Sequence, residues 1–522
     1  MQLKHLVLSL FVSSIFWGKV QAQSIDDPLT FSKEDNGGSA RIKGLGNAQT
    51  ALGGDISSIN GNPAGLGFFS QSDASITTNF LNSRYKTDFL GSKNTSKKNN
   101  FGIDQAGVVF NFPTANHYYE TSGWQNFNVG ISYNKTQNFN NRLIYEGINN
   151  ATSYSYSLID IMENNRNGTF EKDFAGSNLV DVNKDGLYYP LAIGNKDKGQ
   201  YNEILSSGNR SKTTLAFGAN YNNTLYVGGS IGFTSLQYDN SSKFIENGWI
   251  KGRDAILAEN PDSPFGDPKD PRAKYVGSSY EMFDVKRQQV DGSGIDAKIG
   301  VIYKPTTDWN IGVTINTPTW LNIKEDELKY TDIDYYEDAT SNKHIGKYES
   351  KSYYKDGNYR DYNLITPWKF SAGVTKFFSR GLVTVDADLV TYNTLKYTNS
   401  LSGGSSSVYS GINKTLKDTY KTAANFRIGG EYLFSNLISG RAGFNYIGNP
   451  YKNSSDKNYS GSLGLGFKLT QNIYADVAVL HQINSYKQAA YSFDENYWNA
   501  GSPVADIKLQ RTSALLTLGA KF

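Results

Sequence analysis

One short polar segment has the residue types and spacing of a calcium-binding loop. Asp181, Asn183 and Asp185 occupy alternate positions, and Gly186 follows where such a loop turns sharply. Alternating oxygen side chains suit Ca²⁺, but Ala192 stands at the twelfth position, where the loop needs a bidentate acid. The loop is therefore incomplete, so no full metal site is predicted, and an ordinary polar turn is the alternative.

Side chains for catalysis are scarce in this chain. It has no cysteine and only four histidines, of which His117, His344 and His481 lie beyond the first residues. None of these three is placed with a serine or an acid as a nucleophile and its base would be. The sequence therefore predicts neither an enzyme nor a cofactor.

Charged residues instead occur inside alternating apolar segments. Successive side chains of a strand point to opposite faces, and these charges share a face with small or polar residues. Lipid would not accept charge at that depth, so we expect them to face a barrel lumen, where they form ion pairs or hold a plug. A water-filled channel with solvated charges is the alternative. The predicted lumen charges are Asp296, Lys298, Asp386, Asp388, Arg427, Glu431, Arg441, Lys468, Asp476 and Arg511.

The elements that must position these charges are short segments with one apolar and one polar face. Residues 309–316 are an example, and the last residues, up to Phe522, follow the same period of two. About fourteen such strands are predicted to begin near residues 72, 104, 126, 213, 224, 287, 308, 362, 381, 422, 437, 459, 472 and 508.

The connections between these strands alternate in length. Short turns recur at one end, and long polar loops recur at the other, the longest near residues 140–211, 240–284 and 325–361. A soluble sandwich has no reason to sort its loops in this way. We therefore predict an all-β fold, a transmembrane antiparallel β-barrel of about fourteen strands over residues 72–522.

The first 22 residues have the layout of a secretory signal peptide. Lys4 precedes an apolar run at residues 6–17, and small residues follow at a cleavage site after Ala22. No later stretch is long and apolar enough for a membrane helix, and the mature chain is almost neutral, which argues against nucleic acid. The sequence thus predicts export to the outer membrane of a Gram-negative bacterium, with lipid around the barrel.

Residues 23–71 are predicted to fill the barrel lumen as a hatch. They come just before the first strand, and residues 39–69 are too rich in glycine for a strand and too short for a domain. Pro63 keeps Asn62 out of the helical region, so the Asn62 side chain can bond to nearby backbone. The residues that mark this segment are Gly44, Gly46, Asn62, Pro63, Ala64 and Gly65.

These six residues resemble the N-terminal hatch of the FadL/OMPP1/TodX family of outer-membrane transport proteins, including its members in Bacteroidota. The resemblance implies a fourteen-stranded barrel in which the six residues form a gate. It also implies passive transport of hydrophobic small molecules, such as long-chain fatty acids, across the outer membrane. Such a molecule would be the main partner besides lipid.

The long loop after the third strand offers apolar residues spaced for one face of a short helix. The candidate ligand-capture residues are Tyr154, Leu158, Ile159, Ile161 and Met162. Equally, this helix could cap the barrel mouth and pack only on its own loop. The other long loops are polar and could dock proteins, so the alternative function is a structural or docking subunit of a larger outer-membrane secretion or assembly complex.

Overall fold

The wall of the molecule is one antiparallel sheet built from long strands. The computed structural model describes residues 26–34, 37–114, 123–164, 174–338, 340–341, 343–353, 360–399 and 409–522, so the predicted signal peptide lies outside the described residues. The strands of the first half are β1 (Asp73–Phe89), β2 (Ser92–Pro113), β3 (Trp124–Asn138), β4 (Asn141–Asn149), β5 (Val180–Val182), β6 (Tyr188–Pro190), β7 (Lys198–Tyr221), β8 (Leu225–Trp249), β9 (Ser279–Thr306), β10 (Trp309–Asn316) and β11 (Trp320–Tyr336). Those of the second half are β12 (His344–Tyr353), β13 (Arg360–Ile365), β14 (Lys369–Phe378), β15 (Gly381–Thr391), β16 (Lys396–Asn399), β17 (Thr422–Leu433), β18 (Ile438–Ile447), β19 (Lys457–Lys468), β20 (Ile473–Ala489) and β21 (Val504–Lys521).

The sheet closes because its first and last strands pair. β1 and β21 form a ladder that runs from Asp73 opposite Lys521 to Phe89 opposite Ala505. Some strands are interrupted but continue along one line of the wall, namely β3 with β4, β10 with β11, β12 with β13 and β14, and β15 with β16. The small β5–β6 hairpin stands apart from this sheet. The predicted fourteen-stranded antiparallel barrel is therefore confirmed.

Helices occur only in the connections and before the barrel among the described residues. The α-helices are α1 (Asp26–Ser32), α2 (Ala40–Gly44), α3 (Tyr154–Asn164), α4 (Arg253–Glu259), α5 (Ser410–Thr419) and α6 (Glu495–Trp498). Short 3₁₀ helices span Ile56–Ile59, Pro63–Phe68, Pro264–Gly266, Pro271–Tyr275 and Tyr392–Thr394. None of the helices in the described ranges has the length and apolar composition needed to cross a membrane.

The outer and inner faces of the wall reverse the distribution of a soluble protein. On β10, the side chains of Trp309 and Val313 are 41% and 49% exposed, whereas Asn310 is fully buried. The same alternation recurs around the barrel, with apolar side chains outside and polar or small ones inside. An apolar outer belt with a polar lumen is the arrangement of a transmembrane β-barrel.

Several strands continue far above this belt as a polar collar. On β8 the last outward apolar side chain of the belt is Phe233, yet the strand runs to Trp249, about 50 Å further along its axis at ~3.3 Å per residue. The structure therefore differs from the predicted loops: large parts of 140–211, 240–284 and 325–361 are strands of β4, β7, β8, β9, β11 and β12. The outer face of a collar strand meets water instead of lipid and carries polar side chains, so the apolar period of two that marks membrane strands fades there.

The loops above the collar form a hydrophobic core of their own. Leu158, Ile159 and Met162 of α3 are fully buried against side chains such as Phe265, from the loop after β8, and Tyr335 of β11. This core accounts for the apolar face of α3, which packs on loops and collar strands. The helix therefore lies over the barrel mouth and packs well beyond its own loop, which the alternative interpretation of the sequence did not expect.

Candidate functional site

The segment before β1 lies inside the barrel, and residues 26–34 and 37–69 are called the plug below. Its polar groups bond to strands from around the wall: Ala40 N donates to Thr517 Oγ1 of β21 at 2.7 Å, and Asn128 Nδ2 of β3 donates to Leu66 O at 2.7 Å. On another side, Gly46 N donates to Ser462 Oγ of β19. The plug thus spans the lumen from wall to wall.

The plug folds as short turns, each capped by a side chain. Ser39 caps α2, Asp55 caps the 3₁₀ helix Ile56–Ile59, and Asn62 caps the 3₁₀ helix Pro63–Phe68. Side-chain oxygens of Ser, Asp and Asn satisfy the free N–H groups that begin a helix, and Pro63 stands at the first position, where no N–H is needed. Local sequence therefore fixes these turns.

Asn62 joins two turns of the plug. Its Oδ1 accepts from Ala64 N at 3.1 Å, and its Nδ2 donates to Thr50 O at 2.6 Å and to Val301 O of β9 at 3.4 Å. The side chain is completely buried. It therefore ties two turns of the plug to each other and to the wall.

The other predicted gate residues also lie in the plug. Gly65 donates its N–H to Asn62 O at 2.9 Å and accepts from Gly54 N at 3.1 Å. Gly44 O and Gly46 N bond the same hydroxyl, Ser462 Oγ, at 3.0 and 3.1 Å. The structure thus places the six residues in two groups. Gly44 and Gly46 lie at β19, and Asn62, Pro63, Ala64 and Gly65 lie at β7 to β9. Their role in gating is a proposal that we take up below.

Glycines of the wall provide the seat for the plug. Gly218, Gly228 and Gly300 are paired side by side across β7, β8 and β9. A β-carbon on any of them would overlap Asn62, Pro63 or the residues that follow. The sequence shows these glycines on the polar face of alternating segments, but their register, and hence the seat, required the structure.

Two of the lumen charges, Asp386 and Glu431, bond the plug directly through their carboxylates. Asp386 Oδ2 accepts hydrogen bonds from Gln49 N at 2.8 Å, Thr50 N at 2.9 Å and Thr50 Oγ1 at 2.8 Å. On another wall, Arg41 of the plug forms a bidentate pair with Glu431, at 3.0 and 3.1 Å. These are charge-assisted bonds, stronger than neutral ones.

Several of the predicted lumen charges form ion pairs. Arg427 bonds Asp388 at 2.5 Å, and Arg441 links Glu431 to Asp476, both at 2.5 Å. Further up, Asp296 pairs with Lys212 at 2.8 Å, and Lys212 pairs with Glu34 of the plug at 3.0 Å. Sequence reasoning missed both Lys212 and Glu34.

The last three charges lie in different surroundings. Lys298 Nζ donates to Asn60 O of the plug. Arg511 donates to Asn141 Oδ1 at 3.2 Å near the top of the lumen. Lys468 is a correction: it lies at the periplasmic end of β19 with an exposed side chain, because the strand has already left the lumen there.

A cavity of about 1140 Å³ fills the lumen between α3 and the plug. Tyr154 and Ile161 of α3 line it from above, and Lys43 and Asn47 of the plug line it from below. Of the five predicted capture residues, Leu158, Ile159 and Met162 instead lie in the loop core, because their side chains face away from the lumen.

Buried Glu246 of β8 fixes α3 above this cavity. Its carboxylate accepts from Tyr154 N at 3.1 Å, Ser153 Oγ at 2.7 Å, Tyr280 Oη at 2.6 Å and Gln200 Nε2 at 2.6 Å. A carboxylate at a helix N-terminus also suits the helix dipole. Sequence reasoning missed this anchor, since Glu246 lies in a region predicted as a loop.

The wall beside the cavity has a seam between β2 and β3. Their described ladder ends at Gln105 opposite Asn134, while β2 continues with β1, and β3 and β4 continue with β7. Above this point Asn138 Nδ2 donates to Asn100 Oδ1 at 2.8 Å, and Lys135 lies beside β2. Side chains, rather than a backbone ladder, therefore hold the seam together.

The calcium-like segment is a hydrogen-bonded turn. Asp181 Oδ2 accepts from Tyr189 Oη at 2.9 Å and from Ser263 Oγ at 2.6 Å, and Asn183 Oδ1 accepts from Asp185 N at 2.9 Å. Within the described residues no three acidic, histidine or cysteine side chains group as a metal site would need.

The fold and this lumen define a class, a transmembrane β-barrel with an internal plug. No protein-family profile matches the chain, and no curated protein sequence matches it.

Solved structures similar to the chain include a FadL homologue of Pseudomonas aeruginosa, with 13% identity, a TM-score of 0.49, and coverage of 94% of this chain and 99% of that one. The toluene transporter TodX of Pseudomonas putida has 12% identity and a TM-score of 0.49, with 93% and 99% covered. The toluene transporter TbuX of Ralstonia pickettii has 14% identity and a TM-score of 0.45, with 93% and 99% covered.

Proposed function

We propose that this chain is an outer-membrane barrel for the passive transport of hydrophobic small molecules, gated by the plug. The observation that carries this proposal is one continuous cavity that begins beneath α3 and ends on the plug. A molecule in this cavity has left the outside but is stopped at the plug. Passage then requires the plug to move or another exit to open.

One side of the cavity suits the apolar part of such a molecule. Leu81 and Tyr85 of β1, Leu143 of β4, Ile204 of β7 and Leu509 of β21 line it together. Ligand sites bury most of a small molecule against such side chains. Long-chain fatty acids are therefore the first ligands to test, with their chains along this strip.

The plug is suited to act as a gate because of how it is attached. Its bonds to the wall run mainly through side chains such as Asp386, Glu431 and Thr517, whereas the barrel is held by its own backbone ladders. These attachments can break while the barrel stays closed. The proposed gate comprises Asn62, Pro63, Ala64 and Gly65 on one side and Gly44 and Gly46 on the other.

The seam between β2 and β3 offers a second exit. Leu81, Leu143 and the seam residue Asn138 line the same cavity. A ligand there could leave sideways into the membrane by separating Asn100 from Asn138, with no ladder to unzip.

Uptake into proteoliposomes tests the proposal. The purified protein should increase entry of fluorescent fatty acids, and Asn62→Ala with Pro63→Ala should change the rate because it frees two plug turns. Asn260→Ala with Pro261→Ala is the matched control, since the Asn260 side chain bonds loop residues away from the plug, donating to Val182 O at 2.9 Å and accepting from Asp262 N at 3.1 Å. Entry equal to that of empty liposomes for every hydrophobic ligand tried would sink the proposal.

The tall polar collar of β7, β8, β9, β11 and β12 favours a second candidate, a docking subunit of a larger outer-membrane complex. These strands carry polar surface above the membrane belt, on which another protein could dock. Purification from native membranes decides this, because a docking subunit would bring partners in fixed ratio, whereas a transporter alone would not.

A further inference from the structure

We propose that the cavity binds the polar end of its ligand through hydroxyl groups, so that the transported molecule is an uncharged amphiphile with a polyhydroxylated head. This rests on the proposed transport function and specifies its substrate class. It follows from the composition of the lining, from unpaired amide groups and from an aromatic surface beside them.

Side-chain amides are the largest class of groups around the cavity. Seventeen asparagines and glutamines line it, against nine basic and eight acidic residues among the described positions. Several acids are already paired, Asp388 with Arg427, Glu34 with Lys212 and Glu327 with Lys286. The lining therefore carries nearly equal numbers of basic and acidic residues, and its net charge is close to zero.

Some of these amides are buried without a hydrogen-bond partner. Asn202 of β7 and Asn47 of the plug are 5% and 6% exposed, and Oδ1 of each is unpaired, as are Oδ1 of Asn79 and Oε1 of Gln137. Buried polar groups are normally paired, so free ones around a cavity are candidates for bonds to a ligand. These four atoms are acceptors, whereas Nε of Arg427 and Nε of Arg511, which line the same cavity and are also unpaired, are donors. The ligand must therefore both donate and accept hydrogen bonds.

Hydroxyl groups satisfy this lining better than other donors. An amide both donates and accepts, as a hydroxyl does, so each can bond the other in either orientation. An ammonium group only donates and would need a free carboxylate nearby. A neutral polyol therefore fits both the free amide oxygens and the balanced charge.

An aromatic surface lies next to the upper amides. Asn202 pairs with Phe244 across β7 and β8, and the Phe244 ring is 5.3 Å from that of Tyr154. Ser242 and Asn240 continue the polar row below. Aromatic rings give flat apolar contact, which suits the C–H face of a sugar ring, while the amides reach its hydroxyls. The apolar strip near Leu81 and Leu143 then remains for the tail.

Binding of three probes with equal twelve-carbon tails tests this inference in protein held in nanodiscs. The probes are dodecyl maltoside, dodecanoate and an N-dodecanoyl dipeptide amide. We expect dodecyl maltoside to bind at least about tenfold more tightly than the other two. Asn202→Leu with Gln137→Leu should remove this advantage and leave dodecanoate binding unchanged. Asn202→Gln, which keeps an amide at this position, should have most of the preference for dodecyl maltoside.

The controls separate a failed inference from a failed function. Asn484→Leu is the matched control because it changes a cavity amide on β20, away from β7 and β3. Transport of dodecanoate with no preference for the maltoside would overturn the polyol head and leave transport standing, as would tightest binding of the dipeptide amide. If none of the three probes binds to the protein or crosses the membrane through it, the transport function itself is overturned. Heat-dependent gel mobility of each variant verifies that the barrel has folded.

Discussion

The side chain of Asn62 fills the space that a β-carbon on Gly300 would need. The plug therefore packs directly against the backbone of the wall at Gly300, which has no side chain. The contact is specific, because Asn62 also bonds Val301 O, the next residue of the same strand. A plug held so closely is sensitive to single methyl groups.

Gly300→Ala should displace the plug because the new methyl group overlaps Asn62. We expect higher ion conductance in planar bilayers and a loss of about 1–3 kcal/mol in the free energy of unfolding, as overpacking usually causes. Gly229→Ala is the control, since its β-carbon would meet nothing closer than Lys298 O at 3.7 Å. Equal conductance of the two variants would contradict the conclusion that Gly300 provides the seat for the plug.

Asp386→Asn should loosen the plug locally while the barrel stays intact. The neutral amide oxygen would replace three charge-assisted bonds, each of about 1.5–3 kcal/mol, with weaker ones. Hydrogen exchange at Gln49 and Thr50 should accelerate at least about tenfold. Asp388→Asn is the matched control, because Asp388 pairs with Arg427 and Lys369 of the wall. Similar exchange in both variants would show that Asp386 does not hold the plug.

A disulfide between plug and wall should stop transport if the plug is the gate. Ala40 of the plug and Ala478 of β20 lie in one buried cluster, and the chain has no cysteine to interfere. Ala40→Cys with Ala478→Cys should lose uptake when oxidised and regain it on reduction. The single variants serve as controls. Full uptake with the bond fully formed would place the route elsewhere, such as at the β2–β3 seam.

Glu246→Ala should release α3 from the barrel mouth. Tyr154 N, Tyr280 Oη and Gln200 Nε2 would each lose an acceptor, at about 1–3 kcal/mol for each buried group left unpaired. Hydrogen exchange across Tyr154–Asn164 should rise. Glu259→Ala, which removes only a half-exposed partner of Lys251, should leave it unchanged. Unaltered exchange in the Glu246 variant would assign the anchoring to the loop core alone.

The contact between α3 and α6 should depend on pH through Asp160. Burial raises the pKa of this carboxyl, although Trp498 Nε1 and Asp494 N donate to it. Because the folded pKa lies above the unfolded one, the stabilising contribution is present at low pH and is lost as pH rises through the raised pKa. The hydrogen-exchange protection of α3, corrected for intrinsic exchange rates, should fall as the pH rises over that range. In Asp160→Asn the protection should not change with pH. Equal pH dependence in the unmodified protein and in Asp160→Asn would contradict the role of Asp160.

The membrane part of the fold could be predicted from the sequence because lipid imposes a strict pattern. Trp309 and Val313 must face lipid and Asn310 must not, so the period of two is visible and the strand number follows. In the collar no such constraint acts, so strands such as residues 234–249 of β8 resemble loops. The extent of the barrel above the membrane was therefore not predictable.

The site was predictable only where its contacts are local. Asn62, Pro63 and Ala64 are neighbours in sequence, so their turn was expected. Gly228 and Gly300 become partners only through strand register, which alternation alone does not specify. The apolar face of α3 was visible too, but whether Leu158 faced a ligand or a loop depended on residues from distant strands.

The bond between Ala40 and Thr517 joins the first and last parts of the described chain, and it sets an order of assembly. Thr517 reaches its position only when β21 has paired with β1, which directly follows the plug. The plug can therefore complete its contacts only as the cylinder closes around it. A barrel that closed without the plug would leave Asp386 and Glu431 facing water in the lumen, without Gln49 and Arg41 as partners.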